Sequence, residues 1–228
     1  MSDKRIVVAI DGPAGAGKST LAKRVAAKLG FIYINTGAMY RAVALWALRL
    51  SVATSDMHRL ERLAQEADIA LTLDGRVLLN GEDVTEAIGE ASVAAAASEV
   101  SAVHGVRRAL LSLQRDLAEK TSVVMEGRDI GSVVFPQAQV KIFLDADPAE
   151  RARRRVLEFE QRGQAANVES VAGEMSQRDL RDRTRAEAPL VQAPDAELID
   201  TTGLSPEEVE AKILQLIRAR VSNGKVAK

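Results

Sequence analysis

Residues 6–20 read IVVAIDGPAGAGKST: a short apolar run, a glycine-rich octapeptide and the first residues of a helical pattern. The run at 6–10 has no polar alternation, which is typical of a strand buried on both faces. Residues 12–19 match G-x-x-x-x-G-K-[ST], and a strand before this pattern and a helix after it, here at 21–29, are its required context. The stretch therefore predicts a nucleoside triphosphate-binding loop on a parallel sheet.

The octapeptide contains the residue types that a triphosphate requires. Its glycines let successive backbone N–H groups point at phosphate oxygens, and the helix after it directs its positive dipole end at the same anion. We expect Lys18 to reach the β- and γ-phosphates and the Ser19 hydroxyl to bind Mg²⁺. The predicted ATP-binding residues are Gly12, Pro13, Ala14, Gly15, Ala16, Gly17, Lys18, Ser19 and Thr20.

Beyond the loop, strand patterns alternate with helical ones. Apolar runs at 31–34, 122–125, 140–144 and 198–200 predict further strands, with helical patterns between them. Such alternation implies a parallel sheet with helices on both faces. One stretch differs, because residues 69–84 alternate apolar and polar side chains around two hairpin signals, Asp-Gly at 74–75 and Asn-Gly at 80–81. We expect residues 68–86 to form a small antiparallel insert.

Composition limits the function classes. The 228 residues carry 31 Lys+Arg and 32 Asp+Glu, a net charge of −1, which argues against a general binder of nucleic acids or membrane surfaces. The absence of Cys excludes disulfides and thiolate chemistry, and two His leave little room for a histidine metal site. No apolar run approaches the length of a membrane span or a signal peptide, so we expect a cytoplasmic, single-domain protein.

Polar segments follow the second and third predicted strands, where the ligand cleft of an open parallel sheet lies. The first, TGAMYR at 36–41, offers Thr36, Gly37, Tyr40 and Arg41, and Arg41 can grip a phosphate with two parallel hydrogen bonds. The second segment, EGRD at 126–129, offers Arg128 for a phosphate and Asp129 as an acceptor for an amino group. A helix cap with a surface arginine and a solvated loop are the plainer alternatives.

Arginine is concentrated late in the chain. Nine Arg and no Lys lie between residues 151 and 185. Arg178, Asp182 and Arg185 are four and three residues apart, which puts them on one helix face. There Asp182 could bond sugar hydroxyls while the two arginines bind phosphate. A solvated helix with ion pairs is the alternative, but a lysine-free stretch favours planar, bidentate phosphate recognition.

With these residues assembled, the sequence resembles the bacterial cytidylate kinases, a family of nucleoside monophosphate kinases. The matching segments are IDGPAGAGKST (10–20), NTGAMYRA (35–42), EGRDIGSVVFP (126–136), KIFLDA (141–146) and RDRTRAEAPL (181–190). The resemblance covers nearly the whole chain. It implies a three-layer α/β P-loop kinase fold with five parallel strands, a small NMP-binding insert that includes residues 68–86, and a short lid at 151–163.

The resemblance also implies ATP-dependent, Mg²⁺-assisted phosphorylation of CMP and dCMP by a monomer, with no nucleic-acid or membrane partner. No general base is needed, because the acceptor phosphate is already an anion. Lys18, Arg128 and a lid arginine, Arg151 or Arg155, would be catalytic. By position, the residues around the CMP phosphate would be Thr36, Arg41, Arg128 and Arg185, those at the sugar Arg178 and Asp182, and those at cytosine Ser98, Arg107 and Asp129.

One residue departs from the family pattern, and the loop also fits other functions. Many relatives have Asp where this chain has Asn35, so the resemblance implies no carboxylate contact with metal-bound water at this position. Two other functions also fit the loop: a P-loop kinase for a small acceptor such as shikimate or a sugar acid, and a regulatory ATPase with no second substrate. A GTPase switch is disfavoured, since no N-K-x-D tetrapeptide occurs.

Overall fold

A computed structural model describes residues 5–72, 74–161, 163 and 165–224 of the chain. Leu73, in the predicted insert, and Arg162, in the predicted lid, lie outside the described residues. In chain order the elements are β1 (Val7–Asp11), α1 (Lys18–Leu29), β2 (Ile32–Asn35), α2 (Thr36–Arg49), α3 (Met57–Glu66), β3 (Ile69–Leu71), β4 (Val77–Leu79), β5 (Glu82–Asp83), a 3₁₀ turn (Ala87–Gly89), α4 (Ala91–Val100), α5 (His104–Glu119), β6 (Val123–Gly127), a π-helical turn (Ile130–Val134), β7 (Val140–Asp145), α6 (Pro148–Glu160), α7 (Val168–Thr184), β8 (Glu197–Asp200) and α8 (Pro206–Gly224).

The main sheet has five strands in the order β2-β6-β1-β7-β8, and every neighbouring pair is parallel. Strand β1 lies at the centre, where Val8, Ala9 and Ile10 are completely buried. The register aligns Asp11 with Gly127 and Asn35 with Glu126. The carboxyl ends of β1, β2 and β6 therefore meet at one edge, as the sequence patterns predicted.

Alternate residues of β1 pack on opposite helical layers. Val8 and Ile10 belong to a core with Leu21 and Val25 of α1 and with residues of α8. Ala9 faces the other way, into a core that includes residues of α5 and the π-helical turn. The sheet is thus the middle of three layers, which confirms the predicted fold class.

Local signals in the sequence explain where several helices begin and end. Helix α1 ends at Gly30, whose left-handed φ of 65° is the predicted C-cap conformation. Helix α6 begins after Asp147, whose side chain accepts a hydrogen bond from the Ala149 N–H at 2.8 Å. Helix α8 has a capping box in which Ser205 and Glu208 bond each other's backbone N–H groups at 3.2 and 2.8 Å.

A second sheet follows α3 and consists of the antiparallel strands β3, β4 and β5. Its turns lie at the two predicted hairpin signals. Asn80 and Gly81 both have positive φ, 51° and 82°, as a two-residue type I′ connection requires. Val77 and Leu79 of β4 pack into the core formed by α2, α3, α4 and α5.

Most of the predicted lid is the regular helix α6, which packs on α7. Ala152 and Val156 of α6 contact Val171 and Met175 of α7, and Ala14 of the phosphate-binding loop (residues 12–19) packs against this cluster. Both arginine-bearing helices therefore stand beside that loop. Within the described part of the chain, no helix is both long and apolar enough to cross a membrane.

Candidate active site

A cleft of about 420 Å³ opens at the carboxyl ends of β1, β2 and β6. The phosphate-binding loop forms one wall, and α2, α4, α6 and α7 contribute the others. Among the predicted site residues, the following line it: Ala14, Gly15, Gly17, Lys18, Ser19, Thr20, Thr36, Gly37, Tyr40, Arg41, Ser98, Arg107, Arg128, Asp129, Arg155, Arg178, Asp182 and Arg185. The residues of two sequence motifs and one helix face thus share one cavity with the loop.

Gly12, Pro13 and Ala16 do not line the cleft and instead shape the loop from behind. Gly12 has a φ of +146°, and a Cβ placed on it would lie 2.0 Å from the carbonyl oxygen of Leu144 in β7. Strand and loop approach so closely that only glycine fits at this position.

Gly12→Ala should therefore lower the free energy of unfolding by about 1–3 kcal/mol and abolish ATP binding, because the loop must shift. Gly75→Ala is the matched control, since Gly75 also has a positive φ but has no atom within 4 Å of the added Cβ. Chemical denaturation and titration with an ATP analogue measure both effects. Wild-type ATP affinity in Gly12→Ala would contradict this account of the loop.

Lys18 lies buried at the base of the loop, where its Nζ donates a hydrogen bond to the Pro13 carbonyl at 2.6 Å. Burial, and after it the nearby positive charge of Arg128, lower the pKa of its ammonium to about 7. A buried, poorly compensated cation at the base of a loop of N–H groups favours the binding of an anion.

Opposite the loop, Asp129 is held between two arginines. Arg107 donates to one carboxylate oxygen, and an Arg185 nitrogen lies 3.6 Å from the other. The Arg107 guanidinium also lies over the Tyr40 ring, 5.6 Å from its centroid. All four side chains line the cleft. The pairing keeps Asp129 fixed in direction as a hydrogen-bond acceptor at the cleft wall.

A second acidic centre is Asp182 of α7, which pairs with arginines that follow β6 and α7. Arg128 donates to it at 2.9 Å, and an Arg185 nitrogen lies 3.5 Å away. Burial opposes the charge of Asp182, but Arg128 and Arg178 more than offset it and the carboxyl pKa is lowered. Burial and the nearby Arg128 lower the pKa of Arg178 to about 10, and its Nε has no hydrogen-bond partner within the described part of the chain. This cluster has more positive charge than its own acids neutralise, which suits a phosphate.

Ser98 of α4 is 5% exposed, and its hydroxyl has no hydrogen-bond partner among the described residues. A buried hydroxyl without a partner is costly, so such groups commonly meet a ligand or an ordered water. Its place in the cleft makes it available to a ligand edge.

Arg151 is not at the cleft, in contrast to the expectation that it is one of two candidate catalytic arginines. Its Nε donates to the Ala146 carbonyl at 3.1 Å, and one terminal nitrogen donates to Ala14 at 3.0 Å and to Asp179. Arg155, one helical turn further along α6, does line the cleft. Its guanidinium carbon lies 4.4 Å from the centroid of the Phe159 ring, and one terminal nitrogen donates a hydrogen bond to Glu158 at 2.6 Å.

Two buried carboxylates contribute to the site and were missed as site residues by sequence analysis. Glu126 lines the cleft, and its carboxylate accepts from the Tyr33 hydroxyl. Asp11 accepts hydrogen bonds from the backbone N–H groups of Ile130 and Gly131 at 2.8 and 2.7 Å. It thereby holds the turn after Asp129, and burial raises its pKa to about 6. Their positions at strand ends were the available signal.

The donor set suits a cation that is held mainly by phosphate and water. No cluster of three or more His, Cys, Asp or Glu that could hold a metal occurs among the described residues. Ser19, Asn35 and Glu126 nevertheless bring a hydroxyl, an amide and a carboxylate to the loop side of the cleft. These are oxygen ligands of the kind Mg²⁺ takes, usually with several waters and substrate phosphates. Asn35 also caps α2, since its Oδ1 accepts from the Ala38 N–H at 3.0 Å.

Known proteins resemble this chain over nearly its full length. A model of the cytidylate kinase family matches residues 8–219. A cytidylate kinase of Solibacter usitatus (strain Ellin6076) is 60% identical over 224 residues, covering 97% of this chain and 96% of that protein. One from Pelotomaculum thermopropionicum (strain DSM 13744 / JCM 10971 / SI) is 50% identical over 222 residues, 96% of each. The crystal structure of a gluconokinase from Sinorhizobium meliloti 1021, 12% identical, covers 99% of this chain and 100% of its own with a TM-score of 0.50, a likeness of fold alone.

Proposed function

The chain belongs to the cytidylate kinase family, and from this premise we propose that it transfers the γ-phosphoryl group of ATP to CMP and dCMP. The observation that supports this most strongly is the pairing of two unlike surfaces in one cleft. One wall is the phosphate-binding loop with Lys18, and the other combines an arginine cluster with the fixed carboxylate Asp129. A triphosphate donor and a nucleoside monophosphate acceptor fit such a pair.

We propose that ATP occupies the loop wall. The backbone N–H groups of residues 15–20 would bind its phosphates, and Lys18 would exchange its bond to the Pro13 carbonyl for the β- and γ-phosphate oxygens. Ser19 is exposed at the start of α1, where its hydroxyl could join the metal shell. When bound, Mg²⁺ would neutralise charge on the β- and γ-phosphates.

On the other wall, CMP would bind phosphate-first to the arginines. Thr36, Arg41, Arg128 and Arg185 would hold the phosphate, and Arg178 and Asp182 the sugar. Ser98, Arg107 and Asp129 would read the base, because the exocyclic amine of cytosine is a donor that a carboxylate accepts. Tyr40 and Gly37 would complete the wall of this subsite.

Transfer in this arrangement requires positioning and charge neutralisation rather than a general base. An oxygen of the CMP phosphate attacks the γ-phosphorus, and the bond from that phosphorus to the β–γ bridging oxygen of ATP breaks. The attacking oxygen is already anionic at neutral pH, so no proton has to be removed. Lys18 and Arg128 would stabilise the charge that spreads over the transferring group.

Arg155 is the lid arginine that we propose reaches this group, since it already lines the cleft and Arg151 does not. Arg155→Met should lower kcat by about 10²- to 10³-fold, a magnitude typical of losing one charged transition-state donor. Arg153→Met is the matched control, because Arg153 is 62% exposed on the same helix and pairs only with Glu150 among the described residues. Equal kcat values for the two variants would refute the role of Arg155.

Further expectations accompany this function. We propose that residues 68–86 belong to a mobile NMP-binding insert, that residues 151–163 act as a lid excluding water from the reaction, and that the protein is a cytoplasmic monomer with no nucleic-acid or membrane partner. Closure of a lid protects ATP from hydrolysis. Stopped-flow fluorescence at Trp46 on α2 tests the motion of the insert, and analytical ultracentrifugation tests whether the protein is a monomer.

A coupled ADP-release assay over CMP, dCMP, UMP, AMP, GMP, shikimate and gluconate tests the proposal against its alternatives. We expect rapid ADP release with CMP and dCMP and slow release with the other acceptors. Preference for shikimate or gluconate would indicate a small-acceptor kinase. Slow hydrolysis that no acceptor stimulates would indicate a regulatory ATPase.

A further inference from the structure

The backbone of Ala14, in the first half of the phosphate-binding loop, is held from outside the cleft by a buried ion pair. Its N–H donates to a carboxylate oxygen of Asp179 at 3.3 Å, and its carbonyl accepts from Arg151 at 3.0 Å. Arg151 also donates to the other Asp179 oxygen. Both residues are buried, with 7% of their surface exposed. One ion pair thus satisfies both polar backbone groups of a single loop residue.

The next residue shows how closely the loop packs on the two helices that carry this pair. Gly15 has a φ of +73°, and a Cβ placed on it would lie 2.8 Å from the Arg151 carbonyl oxygen and 2.8 Å from the Met175 Cε. The loop therefore has no free space on this side, and a shift of α6 or α7 must move the loop as well.

Asp179 lies on the same helix as the residues that face the acceptor wall. Its neighbour Arg178 lines the cleft, and Asp182, one turn further along α7, binds Arg128. Helix α7 accordingly contacts both the phosphate-binding loop and the arginine cluster. Such an element can carry the effect of one ligand to the site of the other.

We propose that Arg151 and Asp179 are positioning residues that clamp the phosphate-binding loop in its ATP-binding conformation and couple it to acceptor binding through α7. This inference rests on the proposed function, in which ATP and CMP occupy the two walls. Neither residue touches the reacting atoms, because both lie behind the loop. Occupation of the arginine cluster fixes α7, the fixed helix holds Ala14, and the loop then binds ATP more tightly.

The coupling must be reciprocal: CMP should tighten ATP binding by the same factor by which ATP tightens CMP binding. Calorimetric titration of the wild-type protein with a non-hydrolysable ATP analogue, with and without CMP, measures the factor. We expect about 5- to 50-fold.

Two variants separate positioning from stability. Asp179→Asn removes the charge but keeps an oxygen that can accept the Ala14 N–H. The double variant Arg151→Met/Asp179→Leu removes both charges. No buried ion is then left without a partner, and the free energy of unfolding should stay near the wild-type value. We expect both variants to bind the ATP analogue about tenfold more weakly and to lose the enhancement by CMP, whereas CMP affinity without ATP changes less than threefold.

Glu210→Gln is the matched control, since Glu210 is a buried carboxylate that pairs with Arg24 and Lys28 at a distance from the cleft. It should lose stability yet keep both ATP affinity and coupling. Wild-type ATP affinity in the double variant would overturn the clamp. So would equal ATP affinity and equal CMP enhancement in Asp179→Asn and Glu210→Gln. The clamp is also wrong if CMP does not tighten ATP binding in the wild-type protein. Failure of the proposed function differs from failure of the clamp. In that case the wild-type protein would bind the ATP analogue but release no ADP from ATP when CMP is present.

Discussion

Lys18→Ala is expected to lower kcat for phosphoryl transfer from ATP to CMP by about 10³-fold, the largest loss that a single substitution in this site should cause. Lys18 is the cation at the base of the phosphate-binding loop, and its buried Nζ has only a carbonyl oxygen as a hydrogen-bond partner among the described residues. Because the developing charge lies on the β- and γ-phosphate oxygens, removal of this ammonium should raise the barrier far more than it weakens ground-state binding.

Lys23→Ala is its matched control, since Lys23 is exposed on the same helix and packs over the Tyr33 ring, 5.6 Å from the centroid. Steady-state kinetics with varied ATP and CMP measure kcat, and thermal unfolding checks the fold of each variant. Burial opposes the ionisation of Lys18 and lowers its pKa, so the removal of this cation should leave the fold intact. Turnover of Lys18→Ala within tenfold of the wild-type rate would refute the assigned role.

Asp129→Ala is expected to remove most of the preference for CMP over UMP. A site that hydrogen-bonds a group of only one of two substrates can discriminate between them by about 10⁴-fold. The Asp129 carboxylate would accept from the cytosine amine, whereas uracil presents a carbonyl at the same place and two acceptors repel. The ratio of kcat/KM for CMP to that for UMP is the quantity to measure, because it is insensitive to a general loss of activity.

Asp129→Asn sharpens this test. Its amide can donate to the uracil carbonyl, so the ratio should fall at least as far as in the alanine variant. The substitution leaves Arg107 without its counter-charge and leaves Arg185 with Asp182 alone, and some loss of stability is expected in both variants. A CMP-to-UMP ratio that stays at the wild-type value in folded protein would show that Asp129 does not read the base.

The main sheet and the loop were predictable because their signals are local. Runs of β-branched residues, glycines at fixed spacing and helix caps such as Asp147 each act within a few residues. The antiparallel pairing of β3, β4 and β5 was predictable for the same reason, since Asn80 and Gly81 adopt the two positive φ values of their turn. The observed strands begin or end one or two residues from their predicted limits, as expected when the terminal residues of a strand depend on tertiary pairing.

The roles of Arg151 and Asp179 were not predictable, because they depend on how α6 and α7 pack. Arg151 and Arg155 are four residues apart and share a helix face, so spacing alone treats them alike. Only the packing of α7 brings Asp179 to one of them and leaves the other in the cleft. Asp11 is similar, since its two N–H partners come from residues about 120 positions away along the chain.

Phosphate transfer between the two nucleotides is the central claim, and the fate of labelled phosphate tests it directly. The protein is incubated with ATP carrying ³²P at the γ-position, with CMP present or absent, and the nucleotides are separated by ion exchange. The label should appear in CDP, at its β-phosphate, only when CMP is present, with little free phosphate. Label that passes to inorganic phosphate regardless of CMP, or that never leaves ATP, would contradict the account.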